Sequence, residues 1–207
     1  DHIITIEDPI EFVHKNKRCL VNQREVGVHT DGFKHALRAA LREDPDIVLV
    51  GEMRDLETIA IAIETAETGH LVFGTLHTTS AASTIDRIID QFPADQQEQI
   101  RTQFSMALAA VIAQRLVPKI GGGRVAAYEI LLGTSAVSNL IREGKVRQLR
   151  NIISTSQREG MCVLEQSLGN LVSQGIISVE DAIGASVHPD DIAGLHLEQT
   201  GETIPRQ

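Results

Sequence analysis

Residues 44–52 read Asp-Pro-Asp-Ile-Val-Leu-Val-Gly-Glu, and this run constrains the fold more tightly than any other stretch. Ile47–Val50 is uninterrupted by polar residues, the mark of a strand buried on both faces rather than half in water. Such strands belong to parallel sheets with helices packed on either side. The run stops at Gly51 and then at a carboxylate, Glu52. An acid is thereby placed at the carboxyl edge of the sheet, where phosphates and metal ions are handled in NTP-hydrolysing folds. The usual companion of that acid, a Gly-x-x-x-x-Gly-Lys-Ser/Thr loop, occurs nowhere in the 207 residues. The sequence also opens on Asp1, inside what already reads as a strand. The expectation is a downstream portion of a longer, nucleotide-driven enzyme.

Aromatic residues make up only 3% of the chain and Trp is absent, so the core must rest on Ile, Leu, Val and Ala. A net charge of −9 argues against nucleic acid as a partner, since neutralising phosphates needs a positive face. The basic clusters Lys15, Lys17, Arg18 and Lys145, Arg147, Arg150 read as solvated surface. No apolar run approaches the roughly 20 residues that cross a bilayer, so no transmembrane segment is expected. Cys19 and Cys162 form neither a metal spacing nor a disulfide framework, which points to a reduced, cytoplasmic protein.

The alternation of periods predicts a strand over 2–6 that stops before Pro9, and a short antiparallel excursion within 10–30. A helix from Phe33 is expected to be closed by Asp44-Pro45, because the α region is disfavoured before proline. After the strand 47–50, the spacing of Leu56, Ile59, Ile63 and Ala66 predicts a helix over 55–68, ended by Gly69. A third strand, 71–76, delivers His77 to its far end. Helices follow over 81–90 and 95–113. Two strands, 116–117 and 125–132, are joined by a turn at Gly121–Gly123. Short helices are expected over 134–143, 146–155, 161–174 and 178–185.

Three strand endings carry polar groups: Glu7 and Asp8 with Glu11 just beyond, Gly51 and Glu52, and His77. In a parallel sheet these converge on one edge. Glu52 is the candidate to orient the attacking water and to assist Mg²⁺ indirectly. A carboxylate at a helix start, favoured by the helix dipole, is its plainer explanation. Glu7, Asp8 and Glu11 would share a nucleotide-bound cation, although Asp8 also suits a turn at Pro9. His77 is placed to reach a γ-phosphate, while Ser80 alone accounts for the following hydroxyls as a helix cap. His70 lies about 20 Å from His77 along an extended strand, so the two share no metal ion. Arg38 and Arg42, four apart on one helical face, would reach a phosphate or a neighbouring subunit, or pair with Glu43 or Asp44 at the surface.

Three of these stretches carry a resemblance. Thr5-Ile-Glu-Asp-Pro-Ile-Glu-Phe12 is similar to the Asp box of the secretion-type ATPases, residues 41–55 resemble their Walker B region, and Thr68–Thr78 resembles their His box. The likeness extends to about residue 185. No tetracysteine insertion follows the His box, as it typically does in assembly and type II secretion members. The pilus retraction branch is therefore indicated, with assembly or secretion as the alternative, and a non-catalytic module if the phosphate loop is truly absent. Residues 136–143 depart from that branch, carrying Ser138 where its members commonly have arginine.

The resemblance implies an α/β, RecA-like, mostly parallel sheet flanked by helices, with a C-terminal helical subdomain. On that reading 1–133 form the ATPase core, incomplete at its start, 134–187 the helical subdomain and 188–207 a flexible tail. It further implies a homo-hexameric motor using ATP and Mg²⁺, acting on an inner-membrane pilus platform protein from the cytoplasmic side. By matching position, Glu11 and Glu52 are the acids credited with hydrolysis, and His70 and His77 the His-box pair. Residues 1–207 alone are expected to be inactive.

Overall fold

A computed structural model describes residues 1–192. Its internal contacts divide into two compact units: Asp1–His77 with Asp86–Ala107, and Thr78–Ile85 with the chain from Leu108 onward.

In the first unit, β1 (His2–Glu7), β2 (Leu20–Glu25), β3 (Ile47–Val50) and β4 (Leu71–Gly74) form one sheet in the order β2-β1-β3-β4. Every neighbouring pair is parallel. Glu7 stands opposite Glu25, Ile6 opposite Val50, and Val50 opposite Gly74, so all four strands finish together. Ile6, Val48 and Val50 cluster with Ala36 and Leu37 of α1 (Phe33–Ala40) and with Ile61 and Ala62 of α2 (Leu56–Glu67). Each Val, Leu or Ile side chain so buried contributes about 1.5–3 kcal/mol by leaving water.

Asp55 starts α2: one carboxylate oxygen accepts from the Thr58 N–H at 2.9 Å and the other from its hydroxyl at 2.8 Å. Gly69, at φ 103°, ends it in a conformation that costs an L side chain dearly. The buried face of α2 is wider than the expected stripe, taking in Thr58, Ile61 and Thr65 as well as Ile59 and Ile63, because the helix packs on α1, α4 (Gln97–Ala107) and β4 at once.

Three expectations are corrected in this unit. The strand β2 runs parallel to β1, not antiparallel. The helix-free link of residues 8–19 has the length a parallel return requires, and side chains lay it back over the sheet. Asn16 accepts from the Val21 N–H at 2.8 Å, while the Gln23 amide accepts from His14 N–H at 2.7 Å and donates to the Phe12 carbonyl at 2.9 Å. The helix α1 stops at Ala40, leaving Arg42 in the turn that follows, with Asp44 at φ 52° before a buried Pro45. The strand β4 stops at Gly74, and 75–80 are irregular.

The helix α3 (Ala81–Asp90) matches its predicted bounds and is divided between the two units. In the second unit, β5 (Ala110–Pro118) pairs antiparallel with β6 (Arg124–Leu132). The helix expected to reach Ala113 has already ended at Ala107. Alanines at 107, 109, 110 and 113 favour a helix locally, but Val111 and Ala113 are buried and Ile112 exposed, the period-two pattern that pairing with β6 imposes. Gly121, Gly122 and Gly123 close the hairpin, all at positive φ.

The short helices follow as expected: α5 (Ser135–Arg142), a 3₁₀ turn leading into α6 (Leu149–Thr155), α7 (Leu164–Ser173), and α8 (Val179–Ala185) capped by Ser178. The helices α7 and α8 pack with the hairpin in a core of Val117, Ala127, Leu164, Leu168, Ile177, Ala182 and Ile192. The tail expected from His188 lies outside the described residues from 193 on. Up to Ile192 the chain is tied down by buried Glu165, which accepts from Ser186 Oγ at 3.0 Å and from the backbone N–H groups of Val187 and His188. Arg150 donates to both Glu165 and Asp191, at 3.1 and 2.6 Å.

Candidate functional site

Because the strands of the first unit run one way, their carboxyl ends bring Glu7, Glu25, Gly51-Glu52 and the Thr75–His77 segment to a single edge. There His77 Nε2 donates to Glu52 Oε1 at 3.0 Å, and Arg54 Nε donates to the same oxygen. Carboxylate oxygens only accept, so in this arrangement His77 carries its proton on Nε2. The acid is tucked in, 14% exposed, while its two donors stand in the open at 78% and 68%. The Arg54 hydrogen bond holds the Glu52 carboxyl below the usual carboxylate range, with partial burial opposing it and His77 adding to it. Arg54 in turn is held more firmly protonated by Glu52, and to a lesser degree by Asp8.

The Glu52 backbone is fixed from both sides. Gly51 N–H donates to the Ile6 carbonyl at 2.7 Å, Met53 N–H donates to the Thr75 carbonyl at 3.0 Å, and Thr75 Oγ1 donates to the Gly51 carbonyl. Gly51 is glycine for a steric reason, since a Cβ there would stand 2.8 Å from the Ile6 carbonyl oxygen. On β1, Glu7 accepts from Thr5 Oγ1 at 2.5 Å and from Gln23 Nε2 at 3.0 Å. Asp8 is exposed and precedes a cis peptide to Pro9. Glu11, also exposed, sits between two anchored points: Ile10 N–H donates to Glu25 at 3.0 Å, and the Phe12 carbonyl accepts from Gln23.

Other predicted residues stand apart from this group. His70 precedes β4 at the amino edge, its Nδ1 at 3.1 Å from both Thr68 Oγ1 and the Thr65 carbonyl. Arg38 falls in the last turn of α1 and Arg42 beyond it, on the stretch that leads to the amino end of β3, so the shared helical face is not formed. Glu43 pairs with Arg24 instead. Ser80 caps α3 by a reciprocal pair with Ser83, each Oγ accepting the other's N–H at 3.1 Å.

Among the described residues no group of three His, Cys, Asp or Glu side chains is placed to hold a metal ion. The carboxylates at the edge are oxygen donors, the kind of ligand a hard cation would take.

Two members of the edge escape a reading of the sequence alone. Glu25 is invisible while β2 is read as antiparallel, because that direction sends the end of the strand to the opposite edge. Arg54 had a signal, a cation two residues past an acid at a strand end, but that pattern is common at helix starts and carries little weight alone.

The family profile described as Type II/IV secretion system protein matches residues 1–184. The chain is 63% identical over 181 residues to the Type IV pilus retractation ATPase PilT of Pseudomonas aeruginosa, covering 87% of this chain and 53% of that protein. It is 58% identical over 182 residues to a twitching motility protein of Neisseria gonorrhoeae, covering 87% and 49%. A crystal structure of the pilus retraction motor PilT with bound ADP superposes with a TM-score of 0.83 at 57% identity, over 92% of this chain and 54% of that one. The chain thus spans about half the length of the curated relatives it matches. The parallel sheet with flanking helices is the α/β, RecA-like arrangement.

Proposed function

We propose, for a chain that belongs to the Type II/IV secretion system protein family, that it is part of an ATP-hydrolysing motor driving type IV pilus retraction and twitching motility. The relatives named for retraction and twitching support the pilus assignment. The composition favours retraction over assembly, since two cysteines cannot build the tetracysteine insertion typical of the assembly branch.

The observation that carries the chemistry is Glu52, ionised and clamped at the carboxyl edge of β3. A carboxylate held below its usual range is a weak base. Its fitting task is to orient and polarise the attacking water rather than to strip its proton outright. His77, on the same oxygen, would change its bonding to Glu52 on the loss of a terminal phosphate. Glu7, Asp8 and Glu11 ring the edge with negative charge, which Mg²⁺, when bound with the nucleotide, would offset. The Gly-x-x-x-x-Gly-Lys-Ser/Thr loop that would cradle the phosphates does not occur in residues 1–207. In the full-length protein the same reading calls for a homo-hexamer, coupled to an inner-membrane platform protein from the cytoplasmic side. No helix among the described residues is long and apolar enough to cross a membrane.

The test is Glu52→Gln in the full-length protein. Phosphate release should fall by at least about 100-fold with ADP binding retained, and cells carrying it should display pili that fail to retract. Wild-type turnover by this variant would overturn the reading.

A further inference from the structure

The clamp on Glu52 has a second member that the hydrolytic role alone does not require. Both of its described hydrogen bonds fall on one oxygen, Oε1, from Arg54 Nε and from His77 Nε2. A glutamate's terminal torsion is broad and nearly two-fold, so a carboxylate bonded at a single point swivels between equivalent orientations. Two donors converging on one oxygen from different loops remove that freedom. We propose that Arg54 is a positioning residue for Glu52: together with His77 it occupies Oε1, fixes the plane of the carboxylate, and leaves Oε2 as the oxygen that meets the attacking water. The inference rests on the hydrolytic reading of Glu52 given above.

Three features set Arg54 to this task. It lies two residues from Glu52, between the Met53 N–H bond to Thr75 and the Asp55 cap of α2, so its backbone is pinned on both sides. Its charge is steadied by Asp8 at the end of β1 as well as by Glu52. Its partner in the clamp, His77, lies in the irregular segment after β4 and is about as open to solvent as Arg54, so neither donor fixes the plane of the carboxylate by itself. The rival role for an arginine at such an edge is direct phosphate binding, and the two separate kinetically. A positioning residue acts on the chemical step, whereas a phosphate ligand acts on nucleotide affinity.

The experiment compares R54Q, R54K, E52Q and the double variant E52Q/R54Q in the full-length protein by phosphate release, by titration with a fluorescent ADP analogue, and by thermal melting. Misorienting a reacting group by a fraction of an ångström to an ångström costs up to about 100-fold, so kcat of R54Q should fall about 10–100-fold while KM and ADP affinity stay within about twofold. R54K, which restores one cationic donor, should return to within about fivefold of wild type. The double variant should be no slower than E52Q alone, because Arg54 acts only through Glu52. Unchanged kcat in R54Q would overturn the proposal. So would a loss of ADP affinity with kcat intact, or a further fall of the E52Q residual rate on adding R54Q. These failures leave the hydrolytic reading standing if E52Q itself is inactive; an active E52Q removes that reading regardless of Arg54.

Discussion

Replacing Gly51 with alanine tests whether the edge depends on the close approach of β1 to β3. The added Cβ would lie 2.8 Å from the Ile6 carbonyl oxygen and 3.2 Å from Glu7 Cα. Both are backbone atoms, so no side chain can swing aside and the strands themselves must part. Parting them stretches the 2.7 Å bond from Gly51 N–H to Ile6, whose loss costs about 1 kcal/mol. Overpacking a well-packed interior adds about 1–3 kcal/mol. Stiffening of the unfolded chain by the new Cβ returns about 0.5 kcal/mol. The net cost is about 1.5–3.5 kcal/mol, or a fall of about 3–14 °C in melting temperature for a chain of this size. Melting followed by far-UV circular dichroism measures it, with Gly184→Ala as the control. Gly184 lies in α8 with nothing within 4 Å of its would-be Cβ, so alanine there should stabilise by up to about 1 kcal/mol. A Gly51→Ala protein that melts at or above the wild-type temperature would refute the steric argument.

Glu165, with a side chain only 3% exposed, is bonded to Arg150 and to the 186–188 segment, so Glu165→Gln sets an amide donor against donors and should cost about 2–4 kcal/mol. Urea denaturation measures the loss, and hydrogen exchange at Val187 and His188 should rise with it; a neutral substitution would show that the charge is dispensable. The Glu52–Arg54 pair makes a pH prediction. The folded carboxyl titrates below its unfolded value, so its stabilisation is complete above the ordinary glutamate range and is lost as pH falls through the folded pKa. Carbon-13 titration of Glu52 should show a midpoint below that of an unstructured glutamate, and a midpoint at or above it would contradict the clamp.

Much of the edge was legible because its signals are local. Ile47–Val50 needs cover on both faces, Asp55 and Gly69 bracket a helix by capping chemistry, and the positions of Glu7, Glu52 and His77 follow once the strands are parallel. What escaped was decided by distant partners. The direction of β2 depends on Gln23 reaching back to residues 12 and 14 and on Asn16 reaching forward to Val21, and alternation within 20–25 says nothing about which way the strand runs. The alanine-rich run from Ala107 to Ala113 suits a helix until β6 supplies a ladder. The Arg38–Arg42 face presumed a helix one turn longer than α1 proves to be.

The bonds that flank Glu52 tie its fate to three strands at once, through Ile6 on one side and Thr75 on the other. Sliding β4 along β3 must either rupture the Met53–Thr75 link or drag the acid with it, and spreading β1 from β3 does the same through Gly51. Mechanical load on this sheet is therefore felt at the carboxylate directly, without an intervening lever. On the motor reading proposed above, such wiring would make the reaction rate itself a gauge of the strain across the sheet.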